Sequence, residues 1–158
     1  MAGKVTIDDA PWKALQKRLA ALARGHVKVG ILSNPDHDGI GMAELAAIHE
    51  FGAPARKIPE RPFIRATFRD KAADFAKLQA RIGKGVIEGR FEAPQAFGLL
   101  GTRGEAEVKK TIASGPHIPP KLQEATIDAR ERRSGKRSTR PLVDTGRLLG
   151  SISHEVKL

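Results

Sequence analysis

The chain is expected to be an α+β protein, with several helices, one of them long and central, and a small β-sheet. Three observations lead there. Apolar residues recur at spacings of three and four through most of the 158 residues, the period of helices with one buried face. Val27, Val29 and Ile31 alternate with His26, Lys28 and Gly30, the two-residue period of a half-buried strand. A second short run, residues 152–156, can return as a strand beside the first.

The elements follow in chain order. Asp8 and Asp9 precede Pro11, and Trp12, Leu15, Leu19 and Leu22 then keep helical spacing, so a capped amphipathic helix runs to about Arg24 and stops at Gly25. The strand comes next, then residues 33–41, SNPDHDGIG, a turn-rich loop or hairpin tip. Leu45, Ile48 and Phe51 place a short helix over residues 42–51. Gly52 suits the left-handed conformation that stops a helix, and Pro54, Pro59 and Pro62 then forbid regular structure, which makes residues 53–61 a stiff basic loop. From Pro62, the positions Ile64, Phe68, Phe75, Leu78, Ile82 and Val86 predict one long helix toward Arg90. Residues 93–113 resume a helical pattern through Leu99, Leu100, Val108 and Ile112, after a kink or turn near Phe91. Gly98, Gly101 and Gly104 interrupt that pattern, each costing about 1 kcal/mol relative to alanine. Residues 115–120, GPHIPP, are extended by their prolines, residues 121–133 can form another helix or be partly ordered, and 134–140 read as a flexible loop. Asp144 or Thr145 can cap a last short helix through Leu149. The length suits a single domain over residues 1–158, with flexible loops near 33–41 and 134–141.

Composition bounds the function. Lysine and arginine number 28 against 18 acidic residues, a formal charge of +10 that favours a polyanionic neighbour or an acidic partner surface. With six Phe, one Trp and no Tyr, platforms for stacking single-stranded bases are poorly supplied. The absence of cysteine excludes disulfides and thiolate metal sites and fits assembly in a reducing cytoplasm. The longest apolar run, residues 19–23, falls far short of the roughly 20 residues that span a bilayer, and no secretory signal is present.

Motifs that would carry catalysis are incomplete. Asn34, Asp36, Asp38 and Gly39 mimic the first half of a calcium loop, but Leu45 stands where its bidentate glutamate belongs. His49 and Glu50 begin an HExxH whose second histidine is replaced by Ala53. Neither a GxxxxGK phosphate loop nor a GxSxG nucleophile elbow occurs. No cofactor or metal is therefore expected, and the chain is read as no enzyme, with a hydrolase of unrecognised type as a distant third possibility.

Two basic stretches remain. Arg130, Arg132, Arg133, Lys136, Arg137 and Arg140 crowd one segment whose only acid is Glu131, a composition that can touch DNA phosphate and cannot read sequence. A solvated charged loop is the plain alternative. In the stiff loop, Arg56, Lys57, Arg61 and Arg65 offer charge, and Phe63 an aromatic anchor unless it packs in the core. Asp36 and Asp38, on the preceding turn-rich loop, complete the expected partner-binding set.

The segment AELAAIHEFGAPARKIPERPFIR at 43–65, then GPHIPPKLQEATIDAR at 115–130, a basic loop and PLVDTGRLLGSISHEV at 141–156, resembles the tail-completion or neck proteins of long-tailed bacteriophages, the head-tail joining or virion morphogenesis proteins. The resemblance covers most of the chain, from about Val27 to Val156, and rests on the order of EFG, PxRPF and LVDTGxLxxSI. It implies helices packed on a small antiparallel sheet, no catalysis, and a ring, usually of six copies, at the head-tail joint. The implied partners are further copies, neighbouring neck and tail-tube or tail-terminator proteins, and genome DNA through non-specific phosphate contact. The implied location is the virion, after assembly in the host cytoplasm. A free-standing basic nucleic-acid-binding protein is the alternative.

Overall fold

The computed structural model describes residues 8–33, 36–37, 39–114, 118–135, 137–142 and 146–158. Helix α1, Ala10–Arg24, starts where expected, with Pro11 in its first turn and the Asp8 carboxylate accepting the Ala10 N–H at 3.0 Å. Strand β1, His26–Ile31, pairs antiparallel with β4, Ile152–Lys157, in a register running from His26 opposite Lys157 to Ile31 opposite Ile152. Between them in the chain lie the two-residue strands β2, Asp36–His37, and β3, Ile40–Gly41, paired as a small hairpin. Helices α2, Met42–Phe51, α3, Ile64–Asp70, α4, Ala72–Ile87, α5, Ala93–Ala113, α6, Glu124–Ser134, and α7, Arg147–Ser151, complete the α+β architecture.

The long helix is α5, not the one expected over residues 62–90. That stretch divides at Lys71, whose φ of −104° and ψ of 9° leave the helical region, giving α3 and α4. The break lets the Phe68 and Phe75 rings meet with centroids 5.3 Å apart. In an uninterrupted helix, residues seven apart are displaced by about 10.5 Å along the axis and do not meet.

Two of the three glycines in helix α5 serve its packing, although each costs helix propensity. A Cβ on Gly101 would sit 2.2 Å from the His154 ring of β4, and one on Gly104 would sit 2.9 Å from Val29 of β1. Gly101 and Gly104, three residues apart and so on one helix face, let α5 lie close beneath both strands. The sheet is correspondingly one-sided: Val27, Val29 and Ile31 are partly covered, while Lys28 and its partner Glu155 are exposed.

The main core gathers Met42 and Ala46 from α2, Phe63, Val108 and Ile112 from α5, Ile118, Leu142, Leu148 and Ile152. A smaller cluster joins Ile82, Val86 and Ala96, with Leu22 and Leu78 packed against it. Helix α1 contributes no buried residue, so it leans on α4 and α5 through partly covered side chains. Polar contacts stitch the helices as well: Thr67 Oγ1 on α3 lies 2.6 Å from Thr111 Oγ1 on α5. The N-cap of α7 is Gly146, with φ of 76°, whereas the expected caps Asp144 and Thr145 lie outside the described residues. Among the described residues, no helix is long and apolar enough to cross a membrane.

Candidate functional site

The segment from α2 to α3 is held as one unit by Glu50. Its carboxylate is nearly buried, at 5% exposure, and accepts the backbone N–H groups of Ile64 and Arg65, each at 2.9 Å. Those donors open α3 and have no partner within the helix, so Glu50 caps it from fourteen residues upstream. The same carboxylate accepts Arg65 Nε at 3.0 Å, while Arg65 Nη2 reaches the Glu50 carbonyl at 2.6 Å and Glu60 Oε1 at 3.0 Å. The Arg65 guanidinium also lies 4.8 Å from the centre of the exposed Phe51 ring, a cation-π arrangement.

The enclosed loop is tied off at its neck. Ala53 and Ile58 exchange backbone hydrogen bonds at 2.9 and 3.1 Å around the single 3₁₀ turn Pro54–Arg56, and Lys57 closes that turn in the left-handed region. Gly52 is required here: its φ is 74°, and a Cβ would stand 2.9 Å from the Glu60 backbone nitrogen. Arg56 and Lys57 are left exposed at the tip. The loop therefore presents Phe51, Arg56, Lys57 and Arg65 on a fixed backbone, which reduces the ordering entropy that docking costs.

Two members of the expected partner set belong elsewhere. Phe63 is fully buried, so it is a core residue and no surface anchor. Arg61 is only 7% exposed, its N–H donating to the His49 carbonyl at 2.7 Å and its Nε to the Pro120 carbonyl at 3.2 Å, so it fastens the loop to the body. Asp36 pairs through its backbone with Gly41 in the small hairpin, and Asp38 lies outside the described residues. Sequence alone places Phe51 in a short helix and Glu50 in an incomplete HExxH, and neither in the partner-binding set. A signal was available: an acid in the last turn of a helix opposes the helix dipole and needs another partner.

The basic segment is less open than its composition suggests. Arg130 and Arg132 to Ser134 are helical, in α6, and Gly135 caps that helix in the left-handed region. Arg137 folds back onto Glu124, Asp128 and Glu131 at 2.6, 3.2 and 3.2 Å, and the bonds to these carboxylates, Glu131 first, hold its guanidinium more firmly protonated than usual. Arg130 donates to the Arg140 carbonyl at 2.8 Å. Glu131 is thus not the only acid at hand, because helical spacing brings Glu124 and Asp128 to the same face. Arg132, Arg133 and Arg140 are exposed, and Lys136 lies outside the described residues.

A second surface lies between α4 and α5, a groove of about 450 Å³ floored by Phe75, Leu78, Ile82 and Phe91. Leu99 stands half exposed at its side, and Lys77 and Arg81 line it with positive charge. Arg103 and Lys71 also border it, paired with Glu107 at 2.7 Å and Asp74 at 3.7 Å.

His49 gives the loop a pH response. Its Nδ1 is buried with no hydrogen-bond partner among the described residues. Burial, then the positive charges of Arg61 and Arg130, lower its pKa below the ordinary value. The unfolded chain consequently takes up this proton first as pH falls. Stability should decline as pH drops through about 6.5 and level off only below the folded-state pKa. Urea midpoints measured from about pH 7.5 to 5 should show this decline, and His49→Gln should flatten it.

Comparison with protein-family models, with curated proteins and with solved structures finds no match for this chain.

Proposed function

We propose that this chain is a non-enzymatic structural protein of a phage head-tail connector, a tail-completion or neck component. In this reading copies close into a ring, of six by the resemblance, around the DNA path and join head to tail. The observation that carries the reading is the Glu50-locked loop, because it lies within the EFG and PERPF segment on which the resemblance rests and displays Phe51, Arg56 and Lys57 on a hydrogen-bonded backbone. A connector member needs dissimilar docking surfaces, and the basic loop and the groove between α4 and α5 differ in shape and chemistry. The loop is assigned to a neighbouring neck or tail-tube protein, with an acidic face opposite Arg56 and Lys57.

The exposed Arg132, Arg133 and Arg140 supply phosphate contact to DNA passing through the ring, adding salt dependence and no base preference. They also support the alternative of a free-standing nucleic-acid-binding protein. In that case the isolated chain would bind duplex DNA tightly, with affinity falling steeply as salt rises.

The double substitution Arg56→Glu with Lys57→Glu tests the loop. Both side chains are exposed, so thermal unfolding should shift by no more than about 0.5 kcal/mol. Yield of joined particles should fall by roughly tenfold or more, as charge reversal within a docked patch costs several kcal/mol. Normal particle yield from the folded variant removes the loop from the interface.

A further inference from the structure

Two six-residue strands make up the larger sheet, and among the described residues each pairs only with the other, leaving an open edge on β1 and another on β4. Open edges of that length invite a further strand. The β1 edge borders a groove of about 550 Å³, walled by Val27 and Val29 on one side and by Phe68, Phe75 and Gln79 on the other. Phe97 and Leu100 of α5 also line it and no β4 residue does, so it opens along the covered face of β1, where the inward side chains of a strand added at the β1 edge would enter.

The structure assigns this groove to β4 of a second copy, added antiparallel so that the sheet runs from one copy into the next. The inference rests on the ring reading above and names the contact that builds the ring. Charge selects the occupant. On its exposed face β1 carries His26 and Lys28 and no acid, so pairing β1 with another β1 brings like charges together. On the same face β4 carries Glu155, which stands opposite Lys28 within the chain, and Lys157, which stands opposite His26 and pairs with Glu155 at 3.4 Å, so β4 offers Lys28 an acid that a second β1 lacks. Repeating that register between copies sets Lys28 against a second Glu155, Val27 against Val156 and Ile31 against Ile152. Because the two edges differ, the contact is head to tail and closes into a ring when the rotation per copy allows.

The native chain has no cysteine, so single-cysteine variants report on contacts between copies alone. Lys28→Cys and Glu155→Cys both replace exposed side chains on the solvent face. Directly opposed residues of antiparallel strands have Cβ atoms about 4.5–5.5 Å apart, close enough for a disulfide after a small adjustment. An equimolar mixture of the two folded variants, concentrated and oxidised, should give a heterodimer band on a non-reducing gel, while each variant alone stays monomeric. A dimer from Lys28→Cys alone would mean β1 pairs with itself and overturn the assignment. No cross-link in the mixture also overturns it. Micrographs of particles assembled with the native chain separate the readings: rings without the cross-link reject the strand contact only, and the absence of rings rejects the ring reading as well.

Discussion

Replacing Glu50 with alanine is expected to destabilise the protein by about 2–4 kcal/mol, seen as a lower urea midpoint with an unchanged slope. The change strips the cap from the Ile64 and Arg65 N–H groups, in a place too closed for water to substitute freely. It also removes the carboxylate that orients Arg65 over Phe51. Glu50→Gln keeps the size and one accepting oxygen but turns an NH₂ toward a backbone donor, so it should recover only part of the loss. If Glu50→Ala unfolds within 0.5 kcal/mol of the parent, roughly the scatter of neutral surface changes, Glu50 does not hold the segment together.

Gly101→Ala should be destabilising by about 1–3 kcal/mol although alanine is the better helix former. The new methyl would stand 2.2 Å from the His154 ring, and that ring cannot simply swing away because its Nδ1 lies 2.6 Å from Glu105 Oε2. Helix and strand must therefore separate along the main packing surface of the fold. Gly98→Ala is the matched control on the same helix. Nothing lies within 4 Å of its added Cβ, so propensity alone acts and the variant should gain up to about 1 kcal/mol. Equal gains at both positions would show that α5 does not sit against the sheet as described.

Glu105 explains part of why that contact is firm. Hydrogen bonds from Lys109, first, and from His154 lower its pKa below the usual carboxylate value. A depressed carboxylate pKa contributes stability above its unfolded value and loses it as pH falls through the folded one. This junction should therefore keep its full strength at neutral pH and loosen only in acid.

Local pattern was enough where one element decides its own structure. The alternation at Val27, Val29 and Ile31 marked β1, the spacing of Leu45, Ile48 and Phe51 marked α2, and β4 returned beside β1 as expected. It failed where a distant contact decides. The Phe68 and Phe75 rings meet across the break at Lys71, and the role of Gly101 depends on a strand some fifty residues away. The stiffness of the basic loop was expected from its prolines. The structure adds the Glu50 carboxylate and the Ala53–Ile58 bridge, which prolines do not reveal. Charge counted along residues 130–140 missed Glu124 and Asp128, because a helix gathers charges by face and not by window.

The central claim is that this chain sits in a ring where head meets tail, and cryo-electron microscopy of joined particles containing it tests that most directly. The expected map shows a closed ring of this fold around the DNA path at the joint, six copies by the resemblance, with residues 53–61 against the adjoining protein. Joined particles whose neck density has no place for this fold would contradict the account.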